Sequence, residues 1–360
     1  MWQIKTITLK KYFLLFCFFF ANITLAQAIK GRVFDETNKP LFGATIFLDG
    51  TSISTISNEE GFFQLPVIAR INTNLVVSYI GYQSVSIASY NDTTELKITL
   101  QPSINSLKEV VIKKERFTRK EMLKLFREQF LGETKAGKKA IILNENDLDF
   151  EYDENYKVFK ASSDKPLIIQ NPVLGYEVTY EISDFIVQFH SLSIKSEDVH
   201  KILYTGVSRF KETSNSKEVV KERMKSYRGS VLHFFRSLVS DKMVENDFML
   251  VKSKKIAAVK DNFKFKDNLG LIEVKLNDMP MKVVSKNALV DEKFYAHYQI
   301  SFQKSRTSAV TFLTQVFNVD QFGIHSNVAD ILFAGDMSDK RVGDLLPTNY
   351  GIEGTKVLDE

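Results

Sequence analysis

The chain has 360 residues but only one cysteine, Cys17, and one tryptophan, Trp2. A single thiol excludes internal disulfides, and it also excludes cysteine-ligated zinc or iron–sulfur sites and a cysteine nucleophile beyond the first 26 residues. The net charge is also small, since 48 Lys and Arg are balanced by 44 Asp and Glu. Three of those lysines lie in residues 1–26, which contain no acid, so the remainder is nearly neutral. Charge therefore gives no indication of a nucleic-acid partner.

Residues 1–26 have the order of a secretory signal peptide. Three lysines come first, the apolar run Phe13–Ala21 follows, and small side chains flank Gln27. The run is only about half the length of a membrane span, which needs about 20 apolar residues. We therefore predict a cleaved signal peptide, export to the periplasm or to an association with the outer membrane, and no transmembrane helix after cleavage.

Residues 27–113 carry short strand-like runs separated by Gly, Pro, Asn and Asp. Apolar and polar residues alternate within these runs, as in strands with one buried face. The sequence Asp49-Gly50 suits a tight turn, because glycine adopts positive φ without a steric penalty. This pattern predicts a seven-stranded β-sandwich. The expected strands are Ile29–Phe34, Ala44–Leu48, Phe62–Leu65, Asn74–Tyr79, Gln83–Ala88, Glu95–Leu100 and Glu109–Lys113.

Several segments in this region resemble the carboxypeptidase-regulatory-like domain. They are Gly31-Arg-Val-Phe-Asp, Pro40-Leu-Phe-Gly-Ala-Thr-Ile, Gly50-Thr, Ser57-Asn-Glu-Glu-Gly-Phe-Phe, Val76-Val-Ser-Tyr-Ile-Gly-Tyr and Leu107-Lys-Glu-Val-Val-Ile. The resemblance implies a transthyretin-like (prealbumin-like) sandwich in a Gram-negative envelope protein. The same domain forms the N-terminal extension of TonB-dependent receptors. The resemblance also implies that the domain has a supporting, positioning or recognition role and no catalytic residues of its own.

The rest of the chain predicts a helical linker at 114–136 and a β-rich α+β domain at 137–360 with about two helices. The fold class is therefore mainly β with an α+β second domain. Thr118 and Glu121 have the spacing of a capping box at the start of a helix. A second helix is expected over Lys217–Leu238, where apolar residues recur every three or four positions. Residues 137–139 and the tail 335–347 look like loops.

Strand patterns dominate the second domain. Apolar and acidic residues alternate from Asp147 to Asp153, as in a strand with one solvated face. The parity of the apolar positions changes at Ser183-Asp184, which predicts a bulge or turn there. Further strands are expected at Phe248–Val251, Leu271–Leu276, Met281–Val284, Phe294–Phe302 and Val310–Phe317.

Four short blocks resemble the C-terminal region that accompanies this sandwich in exported envelope proteins of unassigned activity. They are Phe130-Leu-Gly-Glu-Thr, Ile142-Leu-Asn, Arg228-Gly-Ser and Asp344-Leu-Leu-Pro. The resemblance implies an arrangement of domains and no mechanism.

The densest group of candidate ligands is the acidic strand. Carboxylates alternating along it could bind Ca²⁺ through oxygen atoms, so Asp147, Asp149, Glu151 and Asp153 are calcium candidates. The segment lacks the glycine and the spacing of a calcium-binding loop, and a solvated strand face explains the alternation equally well. No other metal or cofactor is expected.

Motifs of catalysis are absent from the sequence. The five histidines form no i,i+4 pair and no His-Glu-x-x-His motif, and His190 and His200 are expected to have hydrogen-bonded structural roles. No Gly-x-Ser-x-Gly is present, and Ser-x-x-Lys occurs only without its companion motifs. Paired carboxylates for glycoside hydrolysis need no proximity in sequence, so 44 acids leave that chemistry open.

These observations favour a non-catalytic exported cell-envelope protein that serves as a binding, assembly or structural module, with an envelope protein or glycan as partner. One alternative is an exported hydrolase, directed at glycans or peptides, with its carboxylates in the second domain. Another is an accessory subunit of a TonB-dependent outer-membrane transporter.

Overall fold

The computed structural model describes residues 28–66, 73–88, 90, 94–103, 116–268, 270–279, 281–282 and 293–352. The expected signal peptide and the strand predicted at 109–113 lie outside these residues. Among the described residues, no helix combines the length and the hydropathy needed to cross a bilayer.

The N-terminal region forms two facing sheets of three and four strands. One sheet has the order β4-β1-β7, with β1 parallel to β7, and the other has the order β3-β2-β5-β6. The fully buried side chains of Val33, Leu48 and Leu75 come from both sheets and fill the space between them. The strands are β1 Ala28–Phe34, β2 Thr45–Leu48, β3 Ser54–Ile56, β4 Phe62–Pro66, β5 Leu75–Ser78, β6 Val85–Ile87 and β7 Leu96–Thr99.

The predicted sandwich is confirmed, with one change in its strands. Ser54–Ile56 pairs with β2, although it was not among the expected strands. Its side chains are half-buried or exposed, so no apolar alternation marks it. The backbone hydrogen bonds to β2 define this strand.

The first helix, α1 Arg119–Phe130, begins at the predicted capping box. Thr118 accepts from the Glu121 N–H, and the Glu121 carboxylate accepts from the Thr118 N–H at 2.8 Å. A short helix, α2 Lys135–Lys139, follows where a loop was expected over 137–139, which corrects that prediction. Thr134 caps it by accepting from the Gly137 N–H, a contact that overrides the weak helix propensity of glycine.

A six-stranded antiparallel sheet packs against α1. Phe126 and Phe130 of the helix contact Phe185 in its centre. The longest pair of strands carries the predicted bulge, since the register shifts between Ile182 and Asp184. The strands are β8 Ile141–Ile142, β9 Leu148–Asp153, β10 Val158–Ser163, β11 Leu167–Asn171, β12 Tyr176–Phe189 and β13 Val199–Glu212.

The single helix expected over Lys217–Leu238 is two helices, α3 Lys217–Tyr227 and α4 Val231–Val239. Gly229 breaks it, because its φ of 72° is outside the helical region. A Cβ at this position would lie 2.8 Å from the Phe302 ring. Tertiary packing therefore ends α3 where the apolar periodicity alone would have continued.

The last third of the chain contains a five-stranded sheet, β15-β14-β20-β21-β23, and a three-stranded sheet, β16-β17-β22. Phe234 and Phe235 of α4 pack into the core of these sheets. The tail expected to be a loop contains α6 and a 3-10 turn at Val342–Asp344, which corrects that prediction. The elements are β14 Phe248–Lys252, β15 Lys255–Ile256, α5 Val259–Asn262, β16 Phe263–Asn268, β17 Leu271–Leu276, β18 Met281–Lys282, β19 Lys293–Phe294, β20 Ala296–Phe302, β21 Arg306–Phe312, β22 Val316–Asp320, β23 Ile331–Gly335 and α6 Asp336–Asp339.

Candidate functional site

The four calcium candidates lie along β9 and just before it. Asp149 and Glu151 are exposed on the solvated face. Hydrogen bonds from Asn144 and Lys165 lower the pKa of the Asp147 carboxyl, whose Oδ1 lies 2.9 Å from the Lys165 Nζ.

The Asp153 carboxylate at the end of β9 accepts from the backbone N–H groups of Asn155 and Tyr156. In the part of the chain that the structure describes, no three carboxylate, imidazole or thiol side chains are placed to hold one metal ion. Calcium binding at Asp147, Asp149, Glu151 and Asp153 stays a prediction from the sequence pattern.

Four of the five histidines fall into two groups. His233 and His325 are packed against aromatic rings, and burial lowers the pKa of each to about 4. The Nδ1 atom of His233 accepts from the Gly229 N–H at 3.1 Å, which fits a neutral ring with a structural role. His190 and His200 are exposed, and their ring centroids lie 4.4 Å apart.

The best-defined polar site joins the sandwich to the second region, and we call it the joint. The turn after β2 lies against β13: Gly50 donates to the Ser208 carbonyl at 2.7 Å, and the Phe210 N–H donates to the Thr51 carbonyl at 3.0 Å. Thr51 and Arg209 thereby form a parallel β-bridge. The turn thus extends the sheet edge at β13 by backbone pairing.

The Asp49 side chain completes this contact. Its Oδ1 accepts from the Ser208 N–H at 2.7 Å. Burial raises the pKa of the Asp49 carboxyl, although the hydrogen bonds from Ser208 and Gly50 act in the opposite direction. A partly buried carboxylate is therefore held in the joint chiefly as a hydrogen-bond acceptor.

The C-terminal segment forms the other side of the joint. The Thr348 N–H donates to the Gly50 carbonyl at 2.7 Å. Asn349 accepts from the Ser52 N–H at 3.2 Å and donates to the Ser52 Oγ at 3.0 Å. The turn is thus held between β13 and residues 348–349.

Arg236 of α4 fixes this C-terminal segment. Its guanidinium donates to the carbonyls of Phe322 at 2.8 Å, Tyr350 at 2.8 Å and Thr348 at 2.6 Å. Phe322 is fully buried and belongs to the core cluster of the sandwich. The sandwich core is therefore completed by a side chain from the C-terminal half of the chain.

A second polar cluster, which we call the hub, surrounds residues 340–346. The Gly343 N–H donates to the Leu131 carbonyl at 3.1 Å, and Thr134 donates to the Asp344 carboxylate at 2.7 Å. Asn171 donates to the Gly343 carbonyl at 2.7 Å. The hub thereby connects α1, α2 and β11.

The four blocks that carry the C-terminal resemblance meet at the hub. Leu131 and Thr134 belong to the first block, and Ile142 of the second lies in the same core cluster as Leu346. The carbonyl of Arg228 in the third block accepts from Lys340 at 3.2 Å. Segments far apart in sequence therefore form one contact region.

Lys340 is the cation of the hub whose pKa is shifted most. Its Nζ donates to the Ser226 carbonyl at 2.5 Å. Burial, reinforced by the positive charge of Arg306, lowers its pKa to about 8. Burial also raises the pKa of the nearby Asp344 carboxyl, against the hydrogen bond from Thr134.

No pattern in the sequence indicated Lys340, Arg236 or the contact of Asp49 with β13. Asp49-Gly50 is the predicted turn, but its contact with Ser208 joins residues 159 positions apart. The resemblance blocks around Arg228 and Asp344 were the nearest indication of the hub. Register along β12 and β13 would have been needed to place His190 beside His200.

Comparisons with known proteins concern the sandwich. Residues 29–112 match the model of the CarboxypepD_reg-like domain. The TonB-dependent receptor SusC of Bacteroides thetaiotaomicron is 34% identical over 84 residues, which are 23% of this chain and 8% of the receptor. The chain thus matches less than a tenth of that relative's length.

Among solved structures, one chain of a type II cohesin–X-dockerin complex of Acetivibrio cellulolyticus is similar to this protein. The alignment covers 21% of this protein and 58% of that chain. The sequence identity is 20% and the TM-score is 0.19. The family match and the two-sheet architecture agree on the same segment. Residues 29–112 of this chain are therefore a CarboxypepD_reg-like domain.

Proposed function

We propose that this protein is exported to the cell envelope and acts without catalysis, as a binding or assembly module with an envelope protein or glycan as its partner. The regulatory-like domain at 29–112 and the similarity of that segment to an envelope receptor support this assignment. The order of residues 1–26 supports export.

The joint is the observation that carries the proposal. The turn Asp49–Thr51 is paired with β13 on one side and with Thr348 on the other, and Phe322 enters the sandwich core. A sandwich fixed in this way has a defined orientation relative to the second region. Such fixed orientation suits a module that presents a surface to a partner.

Localisation is tested by expressing the full chain in a Gram-negative host and fractionating the cells. The proposal predicts the protein in the envelope or periplasmic fraction, with a mature N-terminus near residue 27 by mass spectrometry. Accumulation in the cytosol with Met1 intact would contradict it.

Partner binding is tested by co-sedimentation with isolated outer membranes and with peptidoglycan sacculi. The wild-type protein is expected to sediment with one of these fractions. The Asp49→Ala variant, which weakens the joint, is expected to sediment less, while Asp49→Asn keeps an acceptor oxygen and serves as its matched control. A wild-type protein that stays in the supernatant of both fractions would contradict the proposal.

A hydrolase is the second candidate, and the hub is the observation in its favour. Asp344 has a raised pKa and lies within electrostatic reach of Asp336 and Lys340. Groups with perturbed pKa values cluster at catalytic sites. Hydrolysis of peptide or glycan substrates that is lost in Asp344→Asn, with the fold retained by circular dichroism, would establish this activity and overturn the non-catalytic proposal.

An accessory subunit of a TonB-dependent transporter is a narrower form of the binding proposal. The 84-residue similarity to SusC supports it. Co-purification with such a transporter from detergent-solubilised envelopes would support this form. Sedimentation with sacculi alone would contradict it.

A further inference from the structure

The loop end of the β12–β13 hairpin brings two imidazoles together. His190 directly follows β12 and His200 is the second residue of β13. Their ring centroids are 4.4 Å apart with an interplanar angle of 53°. Both residues are exposed, so the pair is open to solvent.

A bulge produces this proximity. Gln188 pairs with Lys201 and Phe189 pairs with Val199, so one step along β12 corresponds to two steps along β13. His200 is the extra residue. A bulge re-aims a side chain relative to the regular ladder, and bulges are enriched beside functional sites.

The backbone around the pair is held firmly. The His190 N–H donates to the Asp198 carbonyl at 3.0 Å, and Lys157 donates through Nζ to the His190 carbonyl at 3.1 Å. The Phe189 N–H donates to the Lys157 carbonyl at 3.0 Å. These bonds use main-chain atoms of His190 and leave its ring nitrogens available.

Neither imidazole has a hydrogen bond or an ion pair with another of the described side chains. The two solvated rings therefore do not serve as hydrogen-bond partners within the fold, unlike His233, whose Nδ1 accepts from the Gly229 N–H. A contact between two unbonded, exposed imidazoles gives little stability of its own. In chemical terms, the pair of imidazoles is two nitrogen ligands side by side.

We propose that His190 and His200 form a two-imidazole site for a divalent transition-metal ion. Two nitrogens bound to one ion at about 2.0–2.1 Å lie about 3 Å apart. Ring centroids at 4.4 Å reach that separation by rotation about χ2, a torsion with a broad energy minimum. Imidazole suits Cu²⁺, Ni²⁺ and Zn²⁺, with Cu²⁺ bound most tightly.

An ion held by two protein ligands keeps further positions for water or for a donor from a partner. Structural zinc sites, by contrast, have four protein ligands. The site is therefore of the open kind, at the tip of the longest hairpin in the described chain. The Lys157 Nζ lies beside the site and is engaged with the His190 carbonyl.

The test is a titration of the tag-free full chain with Cu²⁺ and with Ni²⁺ at pH 7.5, followed by calorimetry and, for Cu²⁺, by electron paramagnetic resonance. The site predicts one ion per chain and a Cu²⁺ spectrum with coupling to two nitrogens. His190→Gln and His200→Gln are each expected to weaken binding by about tenfold or more, since even a lost hydrogen-bond partner of a metal ligand costs about 10- to 100-fold.

His297→Gln is the matched control, because His297 is an exposed strand histidine with a single ring contact, to Thr311 at 2.8 Å. It is expected to bind the ions as the wild type does. Urea unfolding of the metal-free variants is expected to agree with the wild type within about 0.5 kcal/mol, as for other exposed substitutions. Binding that survives His190→Gln combined with His200→Gln, or that is lost equally in His297→Gln, would overturn the proposal.

Discussion

The Asp49 carboxylate accepts a hydrogen bond from the Ser208 N–H at 2.7 Å, across 159 positions of the sequence. This bond links a turn of the regulatory-like sandwich to the edge of a different sheet. Together with the pairing of Gly50 to Thr348, it fixes the sandwich at one place on the second region. The proposed function depends on this relationship.

The first prediction concerns the acceptor at Asp49. Asp49→Ala leaves the Ser208 N–H without its partner in a partly buried site, so we expect it to lower the free energy of unfolding by about 1–3 kcal/mol. Asp49→Asn retains an acceptor oxygen and is expected to stay within about 0.5 kcal/mol of the wild type. Urea denaturation measures both, and equal effects of the two substitutions would contradict the assigned role.

The second prediction concerns the loss of folding stability at acidic pH. Burial lowers the pKa of His325 to about 4 in the folded state, while the unfolded value is 6.5. The unfolded chain therefore binds more protons, so stability from this group is full above pH 6.5 and falls as the pH is lowered towards 4. Between pH 7.5 and pH 5, the wild type is expected to lose about 2 kcal/mol more than His325→Phe.

Phenylalanine is the suitable replacement because His325 stacks on Phe235 at 4.2 Å between centroids. The substitution keeps the ring contact and removes the titrating group. Urea unfolding curves at the two pH values provide the measurement. Parallel losses in both proteins would show that His325 is not responsible.

The third prediction concerns the clamp at the C-terminal segment. Arg236→Met removes the donors to three carbonyls, and we expect a loss of about 2–4 kcal/mol of stability with faster amide exchange at residues 348–352. Arg32→Met is the control, because its pair with Glu95 is exposed and is worth about 1 kcal/mol at most. Similar losses in both variants would argue against a special role for Arg236.

The fourth prediction concerns the hub. A Cβ on Gly343 would lie 2.4 Å from the Leu131 carbonyl oxygen and 2.5 Å from the Gly137 Cα, so backbone would have to move. Gly343→Ala is expected to cost about 3 kcal/mol or more, at the upper end of overpacking effects. Gly81→Ala has open space around it and is expected to cost about 1–2 kcal/mol from its positive φ alone. Thermal unfolding distinguishes the two, and equal costs would contradict the close approach in the hub.

Local patterns predicted the elements that depend on neighbouring residues. The capping box at Thr118 and Glu121 marks the start of α1, and the change of parity at Ser183-Asp184 marks the bulge in β12. Both signals depend on side chains within a few positions of each other. The structure confirms them for that reason.

Features set by distant contacts were outside the reach of the sequence. The interruption at Gly229 depends on the ring of Phe302, and the strand Ser54–Ile56 depends on pairing with β2. The meeting of His190 and His200 depends on the register of two strands. The pattern of apolar residues within one segment carries no information about contact partners elsewhere in the chain.

The joint is tested most directly by a designed disulfide. In a Cys17→Ser background, which has no other cysteine, Ser52→Cys combined with Asn349→Cys replaces two side chains that meet at the joint, where the Ser52 Oγ and the Asn349 Nδ2 lie 3.0 Å apart. We expect an intramolecular disulfide that forms in air, seen as a loss of 2 Da and of both free thiols by mass spectrometry. Two thiols that remain free, or that link only separate chains, would contradict a sandwich fixed at the joint.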